Sequence, residues 1–201
     1  MVARQQAGPW NGTAIKVAFI GSHGVGKTTL CYEIAARVKR SDLRVDMVKE
    51  VARKCPLPIN KESTIDAQAW ILHTQIAMEI EVSSDHDVVV CDRSVLDNYA
   101  YLVATAGRQT FYDLLVQTWM PTYDLTVWAP ITETPRFDGT RDTDRLFQER
   151  IDRLISDLVV DFGVSPLRLH GIDRSQWVDT VMRALQIREL QLPLFEDEEP
   201  A

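Results

Sequence analysis

The chain has 201 residues, enough for one sizeable domain and too few for two comfortable ones. Its 45% hydrophobic and 25% charged residues are those of an ordinary soluble globular protein. The formal net charge is -7, and with Glu196, Asp197, Glu198 and Glu199 set aside the body carries about -3, which disfavours a nonspecific nucleic-acid binder and leaves only a local basic groove open.

Residues 1–14 read as a loose leader without the apolar centre of a secretory signal. The run IKVAFI (15–20), closed by Gly21, predicts a buried strand. Residues 28–39 carry Leu30, Ile34, Ala35 and Val38 at the spacing of one helix face. A second strand is predicted over 43–50, before the two prolines of CPLPIN break the chain. Ser63, with Asp66 three residues on, reads as the cap of a helix running to about Val82. That helix is apolar nearly all round and is expected to be well buried. The β-branched run DVVVCD (87–92) predicts a central strand covered on both faces.

Two helices, 94–106 and 108–120, are predicted on either side of Gly107, then a fourth strand in YDLTVWA (123–129). The open loop PITETPRFDGTRD leads to a helix over 143–162 with Phe147, Ile151, Leu154, Ile155, Leu158 and Phe162 on one side. SPLRLH (165–170) gives a fifth strand and residues 174–190 a last helix, before an acidic tail over 191–201. Strands alternating with helices predict one α/β domain over 15–190, a three-layer sandwich around a central parallel five-stranded sheet. Cys31, Cys55 and Cys91 show no metal-binding spacing, so a reduced, cytoplasmic setting and no zinc are expected. No apolar run approaches membrane-spanning length, and no membrane partner is expected.

The stretch GSHGVGKT (21–28) meets the pattern G-x-x-x-x-G-K-[ST] through Gly21, Gly26, Lys27 and Thr28. Glycines there let backbone N–H groups turn inward around phosphate oxygens, and the following helix adds its positive end. Gly24, Val25 and Thr29 complete the expected cradle for ATP. Lys27 is expected on the β- and γ-phosphates and the Thr28 hydroxyl on Mg²⁺. This context, strand before and helix after, predicts the P-loop nucleoside triphosphate hydrolase fold. Asp92, ending the run VVVCD, is the expected second metal-side group, and it can also cap the helix that follows. His23 is expected to point outward from the loop.

Asp92-Arg93-Ser94 after an apolar strand resembles the D-R-[YHS] or E-R-S motif of P-loop nucleoside and nucleotide kinases. The longer run VVVCDRSVLDNYAYL, with PRFDGTRD, resembles an AAA-like P-loop kinase group that includes the kinase domain of nicotinamide nucleotide regulators. The resemblance spans roughly residues 15–170. It implies that Arg93 lies beside the transferred phosphate, where its charge offsets negative charge on the phosphoryl oxygens; the alternative is an ion pair with Asp92 or Asp97. It implies Glu50 as the base for an acceptor hydroxyl, with Arg53 holding a substrate phosphate or sugar; a surface cluster of the same residues stays open. A lid is implied over about 132–145, bringing Arg136 and Arg141 onto ATP, with Arg145 one turn on. Asp138, Asp142 and Asp144 among these arginines leave a solvated charged loop as the alternative.

Asp97 and Tyr101 fall on one helix face and either line an acceptor pocket or stabilise the helix start. Tyr99, Trp70 and His73 are base-stacking candidates that fit a core equally, and the turn 170–174 is placed beside adenine by analogy. The implied activity is ATP-dependent phosphoryl transfer from Mg-ATP to a small nucleoside, nucleotide or related metabolite. The alternatives are a polynucleotide 5′-hydroxyl kinase, disfavoured by the acidic body, and an ATPase or GTPase switch, disfavoured by the lack of N-K-x-D.

Overall fold

A computed structural model of the protein describes residues 14–59, 62–132, 144–171 and 174–187. Five parallel strands lie in the order β2-β3-β1-β4-β5. They are β1 (Ile15–Ile20), β2 (Val45–Val48), β3 (Val88–Asp92), β4 (Leu125–Trp128) and β5 (Leu167–Arg168). The helices are α1 (Lys27–Lys39), α2 (Ile65–Ser83), α3 (Val95–Ala106), α4 (Thr110–Trp119), α5 (Arg145–Asp161) and α6 (Trp177–Leu185).

β1 is central, with Phe19 opposite Asp92 on one side and Ile20 opposite Trp128 on the other. Its successive side chains enter opposite layers. Val17 and Phe19 join Ile34, Val38, Val181 and Leu185 beneath α1 and α6. Ala18 and Ile20 join Leu72, Leu96, Leu102 and Ile151 beneath α2, α3 and α5. Because both faces are covered, the strand is apolar throughout rather than alternating. This is the expected three-layer α/β sandwich. Parallel pairing also brings every strand's C-terminal end to one edge, where ligands bind in such sheets.

The edge strands are shorter than expected. β2 pairs only with β3, and the chain leaves the sheet before Glu50 to enter a 3-10 turn, Val51–Lys54. β5 pairs only with β4 and begins after Pro166, which has no N–H to give the ladder. The cap of α2 is Thr64, whose hydroxyl accepts from the Ala67 N–H at 3.2 Å, and not Ser63, which accepts from the Gln68 amide. Nor is α2 buried all round: Ile65 and Ile80 are 43% and 51% exposed. As an outer-layer helix it turns one stripe inward, and that stripe includes Gln68, Gln75 and Glu79. The last helix is preceded by a 3-10 turn, Arg174–Gln176. No helix among the described residues is long and apolar enough to cross a membrane.

Candidate active site

The glycine corner grows directly from the end of β1. Gly21 has φ 133, and a Cβ there would lie 2.4 Å from the carbonyl oxygen of Ala129, just past the end of β4, so only glycine fits. Gly24 and Gly26 are also left-handed, at φ 79 and 91. Gly26 is the N-cap of α1, which has no side-chain cap and no acid in its first turn. Its leading N–H groups and positive end are therefore left for an anion.

Lys27 is buried and donates to the Gly21 and Ser22 carbonyl oxygens at 2.5 and 2.7 Å. Burial, and next the neighbouring Arg93, lower its ammonium from the usual 10.5 to about 8. Thr28 Oγ1 donates to Asp92 Oδ2 at 2.6 Å, which joins the first turn of α1 to the end of β3. Burial pushes the Asp92 carboxyl above its usual value. Among the described residues no group of three or more His, Cys, Asp or Glu side chains gathers to hold a metal. One hydroxyl beside one carboxylate suits Mg²⁺, which takes few protein ligands when phosphate oxygens and water complete its shell.

Two open clefts meet at this edge. The first is the phosphate corner, lined by residues 23–29 with Asp92 and Arg174. The second has apolar walls of Ala52, Ile59 and Ile71 and polar groups from Arg53, Gln68, Asn98 and Tyr101. Among the described residues only His23, Glu50 and Arg93 line both.

Arg93 sits at that junction. Its Nε and Nη2 donate to Glu50 Oε1 at 2.9 and 2.7 Å, and its guanidinium lies 5.0 Å from the Tyr101 ring centre. Its backbone has φ 104, a strained value for a side chain of this size, on the order of 1–3 kcal/mol. Arg53 Nε donates to the other Glu50 oxygen at 2.8 Å. Burial raises the Glu50 carboxyl, but the Arg93 charge and hydrogen bonds outweigh this and bring it to about 2.

Asp97, expected as a substrate ligand, is fully buried and does not line the second cleft. Its Oδ1 accepts from the Gly21 N–H at 3.1 Å, and its Oδ2 closes the capping box of α3 with Ser94. It fastens α3 to the glycine corner, and burial raises its carboxyl to about 6. Tyr101 does line the cleft, with its hydroxyl 3.1 Å from His23 Nδ1.

His23 does not point outward as expected. It is 7% exposed, 5.7 Å ring to ring from Phe147, and the Gln148 amide donates to its carbonyl at 2.8 Å. Burial by α5 could not be read from the loop itself. Arg174 belongs to the turn expected beside adenine by analogy. In the structure it donates to the Val25 carbonyl at 3.4 Å and to Thr132 Oγ1, with its guanidinium 3.8 Å from the position of a Cβ on Gly26. The one signal for it was its place just after the last parallel strand. Tyr99 is core, bonded to Asp113, and neither it nor Trp70 nor His73 lines either of these two clefts. Arg136 and Arg141, with most of the expected lid, lie outside the described residues. Arg145 opens α5 and pairs with Glu149 at 2.9 Å.

A protein-family model described as an AAA domain matches residues 16–177. Among solved structures the chain is similar to the deoxyadenosine kinase from M. mycoides with bound dATP, at TM-score 0.60 and 14% identity over 86% of this chain and 99% of that one. It is also similar to the NadR protein in complex with NR, at TM-score 0.68 and 18% identity over 90% of this chain and 54% of that one. At such identities the likeness is one of fold, and the chain spans about half of the second protein. No curated protein matches it in sequence.

Proposed function

The chain belongs to the AAA-domain family, and from that premise we propose that it transfers the terminal phosphoryl group of Mg-ATP to a hydroxyl or phosphate of a small nucleoside, nucleotide or related metabolite. The observation that carries this reading is the meeting of two clefts at His23, Glu50 and Arg93. A transferase must hold two molecules with their reacting atoms adjacent, and a switch needs only the first cleft. The nucleoside character of the acceptor is supported by what the structural relatives carry, dATP in one and NR in the other.

In this reading the N–H groups at the start of α1 bind the phosphate chain, and Lys27 turns from its two loop carbonyls to the β- and γ-oxygens. Thr28 and Asp92 would hold Mg²⁺, which would supply positive charge against the phosphate oxygens. Arg93 supplies charge where it develops on the moving phosphoryl group. Glu50 accepts a hydrogen bond from the acceptor hydroxyl and orients its oxygen for in-line attack. At about 2 its carboxylate is a weak base, so the hydroxyl proton passes to Glu50 late, once the new P–O bond is largely formed and the bond to the leaving ADP largely broken. Arg53 and Tyr101 contact the acceptor, and Arg174 contacts the donor through the first cleft. Three free thiols fit a reduced, cytoplasmic setting.

The direct test incubates the protein with ATP, Mg²⁺ and a panel of nucleosides, nucleotides and a 5′-hydroxyl oligonucleotide, and follows new phosphate esters by mass spectrometry. Product from a small nucleoside or nucleotide is expected, and Arg93→Ala is expected to slow it about 10³-fold. Tight ATP binding without turnover of any acceptor would refute the transferase reading in favour of a switch.

A further inference from the structure

Arg93 keeps a backbone conformation that its side chain disfavours. Three described non-glycine residues have positive φ, and the other two, Asp42 and Gln186, are exposed at helix ends. Arg93 is buried, so its surroundings must hold it there. We propose that Gln75 and Glu79 of α2 are positioning residues that fix Arg93 so that its guanidinium points into the junction of the two clefts. The inference rests on the role given to Arg93 above and adds what enforces it.

Gln75 Nε2 donates to the Arg93 carbonyl oxygen at 3.3 Å and to Glu79 Oε1 at 2.9 Å. Glu79 Oε1 also accepts from the Tyr123 hydroxyl at 2.7 Å, and that hydroxyl in turn accepts from the Val95 N–H at 3.0 Å. One carboxylate thus ties down both sides of the Arg93–Val95 turn, through Gln75 at one end and Tyr123 at the other. Glu79 Oε2 is held by Trp119 Nε1 at 2.7 Å and Lys16 Nζ at 3.2 Å. Lys16 also donates to Thr122 and lies 4.7 and 5.0 Å from the Trp119 and Tyr123 ring centres. Four donors fill the two Glu79 oxygens, so the carboxylate is fixed.

Gln75 and Glu79 are fully buried, one helical turn apart, and line neither cleft. They touch no reactant and act only through Arg93. A buried ion pair such as Lys16–Glu79 is not by itself a source of stability, since apolar packing of equal volume often serves as well. Its use here is geometric. α2 crosses behind the end of β3, and the amide it inserts there is the group that reaches the Arg93 carbonyl.

The test replaces Gln75 by an apolar side chain, as Gln75→Leu and, should that variant fold poorly, as the unbranched Gln75→Met. Melting near the wild-type temperature is expected, while a crystal structure shows Arg93 relaxed to negative φ and its guanidinium moved off Glu50. With an acceptor in hand, kcat is expected to fall about 10–100-fold while the Kd for ATP stays within about twofold. In an Arg93→Ala background the same change should add less than about twofold, because both substitutions remove one device. An Arg93 conformation and Glu50 pair unchanged in the variant crystal, or equal losses in both backgrounds, would overturn the proposal. If the wild-type protein phosphorylates no acceptor, the kinase reading fails, and the variant crystal still decides whether Gln75 holds Arg93.

Discussion

The Lys27 ammonium gives a quantitative test of the phosphate corner. It is buried against two carbonyls and beside Arg93, and it titrates at about 8 instead of 10.5. A bound triphosphate places negative charge on Nζ and restores the ordinary value or raises it further. The lowered group is in the free protein, so the free protein sheds a proton as pH rises through 8, while the complex keeps it. ATP binding must therefore take up protons above that pH, about half a proton at pH 8 and nearly one at pH 9. Affinity should be flat below about pH 7 and fall roughly tenfold between pH 8.5 and 9.5. The full difference of about 2.5 pH units amounts to about 3 kcal/mol. Calorimetric titration at pH 8.5 in two buffers of different ionisation enthalpy measures the uptake directly. No uptake, or the same uptake in Lys27→Met, would refute the assignment of Lys27 to the phosphates.

Three further outcomes follow from the same geometry. Glu50 is lowered from 4.5 to about 2, which contributes up to about 3 kcal/mol of stability above pH 4.5 that is lost as pH falls towards 2. Urea unfolding at pH 7, 4 and 3 should show a shallower acid loss in Glu50→Gln than in the wild type. Gly21→Ala forces a Cβ to 2.4 Å from the Ala129 carbonyl oxygen, so β1 and β4 must part, whereas Gly163→Ala has nothing within 4 Å. Melting curves should show a loss of several kcal/mol for Gly21→Ala and about 1 kcal/mol for Gly163→Ala, which keeps only the φ penalty. Asp92→Asn removes the charge beside Thr28 and should raise the Mg²⁺ concentration needed for half-maximal activity by about tenfold or more. A magnesium titration checks this, and an unchanged midpoint would count against the metal role.

What the sequence determined by itself was local. The spacing of Gly21, Gly26, Lys27 and Thr28, the apolar runs of β1 and β3, and the alternation of strand and helix are interactions among near neighbours. They foretold the three-layer sheet and the phosphate corner because hydrogen bonds within one turn and burial of one strand depend on spacing alone. Asp97 marks the boundary: its capping of α3 was legible as i to i+3, but its bond to Gly21 spans 76 positions. The Glu50–Arg93 pair, the burial of His23 by α5, Arg174 on the glycine corner, and the Gln75–Glu79 chain behind Arg93 were decided by tertiary structure. Those contacts depend on which strands lie side by side and how far each helix slides along them. No periodicity expresses that, because a buried glutamine or glutamate has the same local spacing whether it faces water or an arginine carbonyl.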